Sequence, residues 1–344
     1  MVTPVLDISI STYNRVDKIE ALVKEILKVQ SVKFSVTVVD DKSSDDTIER
    51  LSHIKDKRLH VFCNASNKGA KGNWYETINR GYGKYVLHLL DRDWIQTEYL
   101  QKMIEVLERE DFGFGYIGRI FSFAESKNEM IERYQAGREA LEQFGFVLVH
   151  PSGFFVRKEV WDKIPDKEKF FMEEGYGIYP HSYIFALLAK EYDGGMIKCP
   201  MINIVTACAK YKSKFYKHNK QTLPYWWTPD AHKMELEALT RYAYEYMDLS
   251  KPSLQSILQF RFHENLFNAT VSYQSIAGNL RNAKHYGVGI SRIGEGELLR
   301  ININFVWKYI GYIRSNCRKI CDFPFVWKLL EIGWKNMKDI IAYK

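Results

Sequence analysis

Along the first hundred residues, apolar positions recur in two alternating rhythms. LDISIST (6–12), FSVTVVDD (34–41), RLHVF (58–62) and KYVLHLLD (84–91) are short β-rich runs. Between them the spacing lengthens to that of a helix. After the first run, Asp17 with Glu20 makes a capping-box start, and Ile19, Leu22, Val23, Ile26 and Leu27 fall on one face. Ser44 is the expected cap of a second helix carrying Ile48 and Leu51, and GAKGNWYETINRGY (69–82) reads as a third. A fourth places Leu100, Met103, Ile104 and Leu107 on one side. Strands and helices alternating at this spacing imply a mostly parallel sheet with helices on both faces. Such sheets bind ligands beyond the carboxyl ends of their strands. Those ends carry Thr12-Tyr13-Asn14, Asp40-Asp41 and Asp91-Arg92-Asp93, which are expected to converge.

From about 112 to 210 the pattern is mixed. GFGYIGRI and FGFVLVHPSGFFVRKEVW read as strands and HSYIFALLAKEY (181–192) as a helix. Beyond about 215 the strand signal fades, and Thr228-Pro229 and Pro252 are expected to open helices, with proline at the first position. There is no internal repeat and no low-complexity tract.

A chain of 344 residues has room for one large domain or two smaller ones. Its 46% hydrophobic and 26% charged composition is that of a globular protein, with aromatics high at 15%. The +7 net charge is uneven, because residues 300–344 hold nine Lys/Arg against three Asp/Glu, a net +6. Five cysteines (Cys63, Cys199, Cys208, Cys317, Cys321) form no CxxC pair, which reads as reduced thiols in a cytosolic protein. MVTPVLDISI has no basic segment followed by an apolar one, so no secretion signal is expected there. No apolar run approaches the roughly 18 residues of a membrane span. Asn268-Ala-Thr is accordingly not expected to be glycosylated.

Two aspartates one residue apart repel, so Asp91 and Asp93 call for a positive neighbour. The candidates are Arg92, another basic side chain, or a divalent cation. Mg²⁺ and Mn²⁺ favour carboxylate and phosphate oxygens and take only one or two protein carboxylates when a phosphorylated substrate supplies the rest. An isolated DxD is short and common, and by itself fits a solvated turn equally well.

The order of the surrounding pieces is more specific. ISTYNR ends the first strand, VVDDKSSDDT follows the second, NKGAKGNW precedes the third helix and GKYVLHLLDRD forms the fourth strand. This set resembles the family 2 glycosyltransferases of the GT-A fold, strongly over residues 6–110 and weakly to about 200, where HPSGFFVRKEVW is similar to the acceptor-domain strand. The resemblance implies a nucleotide-sugar half (1–110), an acceptor half (111–215) and a helical C-terminal extension (216–344). It implies that Thr12 and Tyr13 line the base pocket, Tyr13 by stacking, and that Asp40 or Asp41 accepts a hydrogen bond from the base. Arg15, Arg92 and Asn73 join the nucleotide site, with Lys68 or Lys71 toward the diphosphate. Asp91 would face ribose and metal, and Asp93 would hold Mn²⁺ or Mg²⁺ on the diphosphate. The implied donor is a nucleoside diphosphate sugar, UDP or dTDP favoured over GDP, and the implied acceptor a glycan hydroxyl, lipid-linked in the bacterial surface-polysaccharide members.

One departure stands out. Inverting members open the helix after the acceptor strand with an acidic general base, whereas Pro180 and His181 occupy that place here. The candidates for the base are His181, Glu173 and Glu174, with His150 behind them. If none serves, the base lies elsewhere in the chain, or the chain is a membrane-associated nucleotide-sugar-binding or scaffold protein without turnover. A nucleotidyltransferase would want a Gly-rich basic phosphate loop after the first strand, which STYNRVDK lacks. In the last 45 residues, Trp307, Tyr309, Trp327 and Trp334 are interleaved with cations. That pattern fits a helix on an anionic membrane surface, at the inner face of the cell membrane, or a helix packed on the catalytic domain. No nucleic-acid-binding motif accompanies it.

Overall fold

The computed structural model describes residues 3–118, 131–147, 150–173, 177, 179–204, 237–239, 241–242 and 245–246. The chain forms two compact units, Met1–Glu173 with Tyr179–Ala207, and Glu174–Ile178 with Cys208–Lys344. The first unit opens with β1 (Leu6–Thr12), α1 (Val16–Leu27), β2 (Phe34–Asp40), α2 (Thr47–Ser52), β3 (Leu59–Cys63), α3 (Gly69–Arg80) and β4 (Tyr85–Leu90). It continues through β5 (Trp94–Ile95), a 3-10 turn (Thr97–Tyr99), α4 (Leu100–Arg109), β6 (Phe114–Ile117), β7 (Ile131–Tyr134) and α5 (Arg138–Phe144). It ends with β8 (Phe154–Arg157), α6 (Lys158–Lys163), α7 (Glu168–Met172), α8 (Pro180–Ala189), β9 (Gly194–Ile197) and β10 (Ile202–Asn203).

Eight strands make one sheet in the order β3-β2-β1-β4-β8-β6-β9-β7. The first four run parallel. Beyond β4 the sheet is mixed, with β8 antiparallel to both β4 and β6, β9 parallel to β6, and β7 antiparallel to β9. The sequence halves 1–110 and 111–215 therefore contribute strands to a single sheet, and β5 pairs with β10 in a separate two-stranded ribbon.

Alternation along the parallel strands sorts the side chains onto two unlike faces. Leu6, Ile8 and Ile10 of β1, Phe34, Val36 and Val38 of β2, and Tyr85, Leu87 and Leu89 of β4 join the buried stripes of α1 and α4 in one apolar core. The opposite residues are Asp7, Ser9 and Ser11, Ser35 and Thr37, and His88, all buried. That polar face lies under α3, which packs on β1, β2 and β4. Both faces are covered, so every residue of β1 and β2 is buried. On the polar face, the Ser35 and Ser9 hydroxyls each donate to Asp7 at 2.5 Å and Thr37 donates at 3.0 Å. Burial nevertheless pushes the Asp7 carboxyl above the ordinary aspartate value.

Two expected caps are not formed. α1 begins at Val16 with Arg15 at its N-cap, and Asp17, within the first turn, pairs with Arg50 instead of closing a capping box. α2 begins at Thr47 without a side-chain cap from Ser44. Asp45 takes the anchoring part, accepting from the Thr47 hydroxyl at 2.5 Å and the Val16 N–H at 3.2 Å. Among the described residues of FGFVLVHPSGFFVRKEVW only Phe154–Arg157 is a strand, and the C-terminal residues of the segment already belong to α6. Phe146 (φ 61°) sits in the left-handed region, which breaks an extended run. In the second unit, residues 237–239, 241–242 and 245–246 are helical, with Ala238, Leu239 and Tyr242 buried and Tyr242 stacked on Tyr246. The expected helices at Thr228 and Pro252, Cys208, Cys317, Cys321 and the basic aromatic tail lie outside the described residues.

Candidate active site

Parallel pairing brings the carboxyl ends of β1, β2 and β4 side by side, with Thr12 opposite Asp40 and Ser11 opposite Leu90. The three strand-end motifs converge as expected. At their centre Asp91 is buried and held twice, by the Thr12 hydroxyl at 2.8 Å and by the guanidinium of Arg15. Their side chains retain 2% and 7% exposure, so the ion pair is an interior one. Arg15, rather than Arg92, is thus the positive neighbour of the first aspartate.

Asp93 is also buried and accepts from the Ser152 hydroxyl at 2.5 Å, with His150 Nδ1 at 3.5 Å. Arg92 turns to His150 instead, its Nη2 lying 3.3 Å from Nε2. Burial lowers the His150 pKa to about 3. A neutral imidazole with a guanidinium against one nitrogen and the Ser152 N–H at 3.2 Å from the other is poorly placed to take a proton. Tyr116 fixes this loop from below by donating to the carbonyls of His150 and Ser152.

The acidic pair at the end of β2 is tied into the neighbouring loops. Asp40 accepts from the Ser43 hydroxyl and N–H and lies 3.4 Å from Cys63 Sγ. Asp41 accepts from the Lys68 and Gly69 N–H groups, each at 2.8 Å, and from Asn64 at 3.0 Å. It therefore anchors the N-terminus of α3, where a carboxylate is favoured by the helix dipole. Burial still raises its pKa, against the opposing effect of those three donors. Gly69 has φ +74°, a conformation that a side chain would strain.

Asn73, expected beside the base or ribose, spends both amide hydrogens on the carbonyls of Thr12 and Val39 and accepts from Asn64 at 3.0 Å. It clamps α3 to the ends of β1 and β2. Lys68 is exposed and paired with Glu76, which Arg80 also contacts. Lys71 and Tyr13 are half-buried, on α3 and just past β1. Asn14, with φ 51°, ties the β1 loop to the loop after β2 by accepting the Ser44 N–H at 2.7 Å while its own N–H donates to Ser43. Asn14, Ser43, Asn64 and Ser152 were not singled out in the sequence. Only Asn14 carried a signal, as an Asn at a strand end where left-handed backbone is tolerated.

The candidate bases separate clearly. His181 is fully buried on the first turn of α8, its ring 4.6 Å from Trp74 and 6.0 Å from Phe185. It is no surface cap. Trp74 stacks in turn on His88 at 4.8 Å, so the indole sits between two buried histidines. Desolvation lowers the His88 pKa to about 3. Glu173 is exposed at the end of α7, its N–H bonded to the Lys169 carbonyl. Glu174 lies outside the described residues.

No group of three or more His, Cys, Asp or Glu side chains among the described residues could hold a metal ion. A divalent cation held by one or two carboxylates and a substrate's phosphates needs no such group, and Asp91 and Asp93, both in the turn that ends β4, fit that donor set.

Residues 7–164 match the family model described as Glycosyl transferase family 2. They form a family 2 glycosyltransferase domain. Among relatives of this domain, an Escherichia coli UDP-Glc:alpha-D-GlcNAc-diphosphoundecaprenol beta-1,3-glucosyltransferase is 31% identical over 111 residues, 32% of this chain and 44% of that protein. A Campylobacter jejuni GalNAc(5)-diNAcBac-PP-undecaprenol beta-1,3-glucosyltransferase is 26% identical over 180 residues, 51% of this chain and 57% of that protein. The chain spans about half the length of these relatives. The structure of a mannosyltransferase from Pyrobaculum calidifontis, in complex with GDP-Man and Mn²⁺, shares 14% identity at a TM-score of 0.50, covering 98% of this chain and 88% of that one. At that identity the likeness speaks for the fold alone, which is GT-A.

Proposed function

We propose that this protein is an inverting, metal-dependent glycosyltransferase. It moves a sugar from a nucleoside diphosphate, with UDP or dTDP favoured, to a hydroxyl of a lipid-linked glycan in bacterial surface-polysaccharide synthesis. The observation that carries this reading is the convergence of Thr12 and Arg15 on Asp91 where the adjacent parallel strands β1 and β4 end, with Asp93 two residues further along the same turn. The lipid-linked acceptors in the two relatives' names support the acceptor class. Contact with a lipid-linked acceptor is assigned to the membrane surface through the basic aromatic tail, on the net +6 charge of residues 300–344; no helix among the described residues is long and apolar enough to cross a membrane.

In this reading Asp93 holds Mn²⁺ or Mg²⁺ on the donor diphosphate, with Asp91 toward metal and ribose. The cation supplies Lewis-acid stabilisation of the charge that develops on the leaving diphosphate. Arg15 offsets the charge of Asp91 and fixes the direction of its carboxylate. Tyr13 stacks on the base. For the base that takes the acceptor proton, exposed Glu173 and its neighbour Glu174 are preferred to His181, whose ring has no exposed surface.

The deciding experiment is donor hydrolysis without acceptor, using UDP-, dTDP- and GDP-sugars with Mn²⁺. Wild type is expected to hydrolyse its donor slowly, and Asp93→Asn, which keeps size and removes charge, to lose the metal-dependent rate. An Asp93→Asn variant as active as wild type would remove the metal assignment. Tight nucleotide binding with no turnover of any sugar, with or without acceptor glycan, favours the binding-protein reading that the missing acidic residue at α8 leaves open.

A further inference from the structure

Directly after Asp93 the chain enters the β5–β10 ribbon, whose register pairs Ile95 with Ile202 and Trp94 with Asn203. Residues directly opposite share a face of the ribbon. Ile95 and Ile202 are buried, forming the inner face. Trp94 and Asn203 consequently share the outer one, where Trp94 is 37% exposed and Asn203 is exposed. Ile204, at 46% exposure, follows on the same strand end. Exposed hydrophobics scattered singly need no explanation. Among the described residues only Val32, Tyr82, Trp94 and Ile204 are large, apolar and exposed; Trp94 lies on this short ribbon beside the DRD turn and Ile204 directly follows its second strand.

We infer that Trp94 and Asn203 form a saccharide-binding platform for the acceptor glycan. The proposal rests on the glycosyltransferase reading for the word acceptor, and on the ribbon alone for the word saccharide. An indole offers a flat apolar face to the C–H side of a sugar ring, and a neighbouring amide both donates and accepts hydrogen bonds with its hydroxyls. Binding sites for small polar ligands combine these two elements, with apolar area for affinity and a few polar groups for orientation. The occupant is the acceptor rather than the donor sugar because the platform is open to solvent. A donor sugar hanging from its diphosphate must be shielded from water, whereas a glycan acceptor arrives from outside and extends beyond the reacting hydroxyl. The position one residue past Asp93 puts the platform at the rim of the strand ends where that diphosphate is expected. Trp94 is a specificity residue in this scheme and takes no part in bond making.

The test is saturation-transfer NMR on the full chain with the methyl glycosides of glucose, galactose, mannose and N-acetylglucosamine, run with and without nucleoside diphosphate and Mn²⁺. Wild type should contact at least one glycoside. Trp94→Ala should weaken that contact about fivefold or more, and Trp94→Tyr should retain most of it. Asn203→Ala should weaken it while leaving the indole in place, which keeps the proposal testable should Trp94→Ala fold poorly. Nucleotide-induced thermal shift and acceptor-free donor hydrolysis should stay at wild-type values in all three variants. A Trp94→Ala protein that contacts the same glycosides as strongly as wild type overturns the platform, as does a wild type that contacts none. Hydrolysis that falls in step with the glycoside signal reassigns the platform to the donor sugar and overturns the acceptor assignment. Failure of wild type to bind any nucleotide while glycoside contact persists through Trp94 defeats the glycosyltransferase reading and leaves the saccharide platform standing.

Discussion

At the scale of single residues, the strongest energetic statement concerns Arg15 and Asp91. Removing one partner of a buried pair leaves the other charge uncompensated, at a cost of about 3–5 kcal/mol. Arg15→Met should therefore destabilise the first unit by about that much in urea unfolding, whereas breaking the exposed pair between Lys24 and Glu20 should barely move the unfolding midpoint. An Arg15→Met loss as small as the surface pair's would mean that Thr12 alone satisfies Asp91. Asp7 supports a prediction of another kind, because burial raises its folded pKa above the ordinary 3.8. A carboxyl raised in the folded state contributes stability that is complete below the unfolded pKa and is lost as pH rises through the folded value. Asp7→Asn keeps the shape, and its three hydroxyl neighbours can reorient toward the amide. The variant should show a flatter stability profile than wild type from about pH 4 upward and should equal or exceed it near neutrality. A uniform loss at every pH, measured by denaturant midpoints, would mean that the ionised carboxylate is the form those hydroxyls were arranged to hold.

At the scale of elements, α3 organises the site. Its N-terminus is anchored by Asp41, its first turns are clamped to β1 and β2 by Asn73, and Trp74 reaches between His88 and His181. Asn73→Ala strips three hydrogen bonds from a buried position and leaves two strand-end carbonyls short of a donor, a loss of about 2–3 kcal/mol with weaker nucleotide binding alongside. Nucleotide affinity lost without any fall in the unfolding midpoint would return Asn73 to direct ligand contact. The same packing bears on the base: His181→Phe should keep turnover within tenfold of wild type at saturating donor, whereas the true base among Glu173→Gln and Glu174→Gln should lose about 10²–10⁴ in rate. A His181→Phe protein that folds, binds donor and has lost as much would restore the imidazole as base. Much of this architecture was legible in the chain. The four parallel strands and the apolar stripes of α1 and α4 are set by period, and their ends converge because parallel pairing aligns them. That the capping box expected at Asp17 would not form was not legible, since its competitor is an ion pair with Arg50, 33 residues away. Nor did spacing reveal that Asn73, Asp40 and Asp41 spend their polar atoms on neighbouring backbone and side chains, because a hydrogen-bond partner distant in sequence leaves no local trace. The polar seam of Asp7, Ser9, Ser35 and Thr37 was visible as alternation, yet alternation alone reads as a solvated face, and only α3 lying over it makes it interior.

At the scale of the whole molecule, the net charge is concentrated in the last 45 residues of the sequence. Residues 300–344 carry a net +6 and nine aromatics, whereas every strand-end motif precedes residue 95. An acceptor that is lipid-linked has to be met at a membrane surface, and cations near an anionic leaflet are worth about 1 kcal/mol each. Replacing Lys308, Arg314, Arg318, Lys319, Lys328 and Lys335 by Gln removes that charge while keeping the aromatic residues. The variant should sediment far less with phosphatidylserine-containing vesicles than wild type, and its nucleotide binding should be unchanged. Salt should weaken the wild-type interaction, although less than for a purely basic peptide, since burial of Trp307, Trp327 and Trp334 at the interface is not screened. On a soluble glycan acceptor the variant should turn over normally, and on a lipid-linked one in vesicles it should slow, because only the second reaction requires the surface. Vesicle binding that survives the six substitutions would place the contact on another part of the chain. Aggregation or a lower unfolding midpoint would assign the tail instead to packing on the catalytic domain, with its cations as the solvated side.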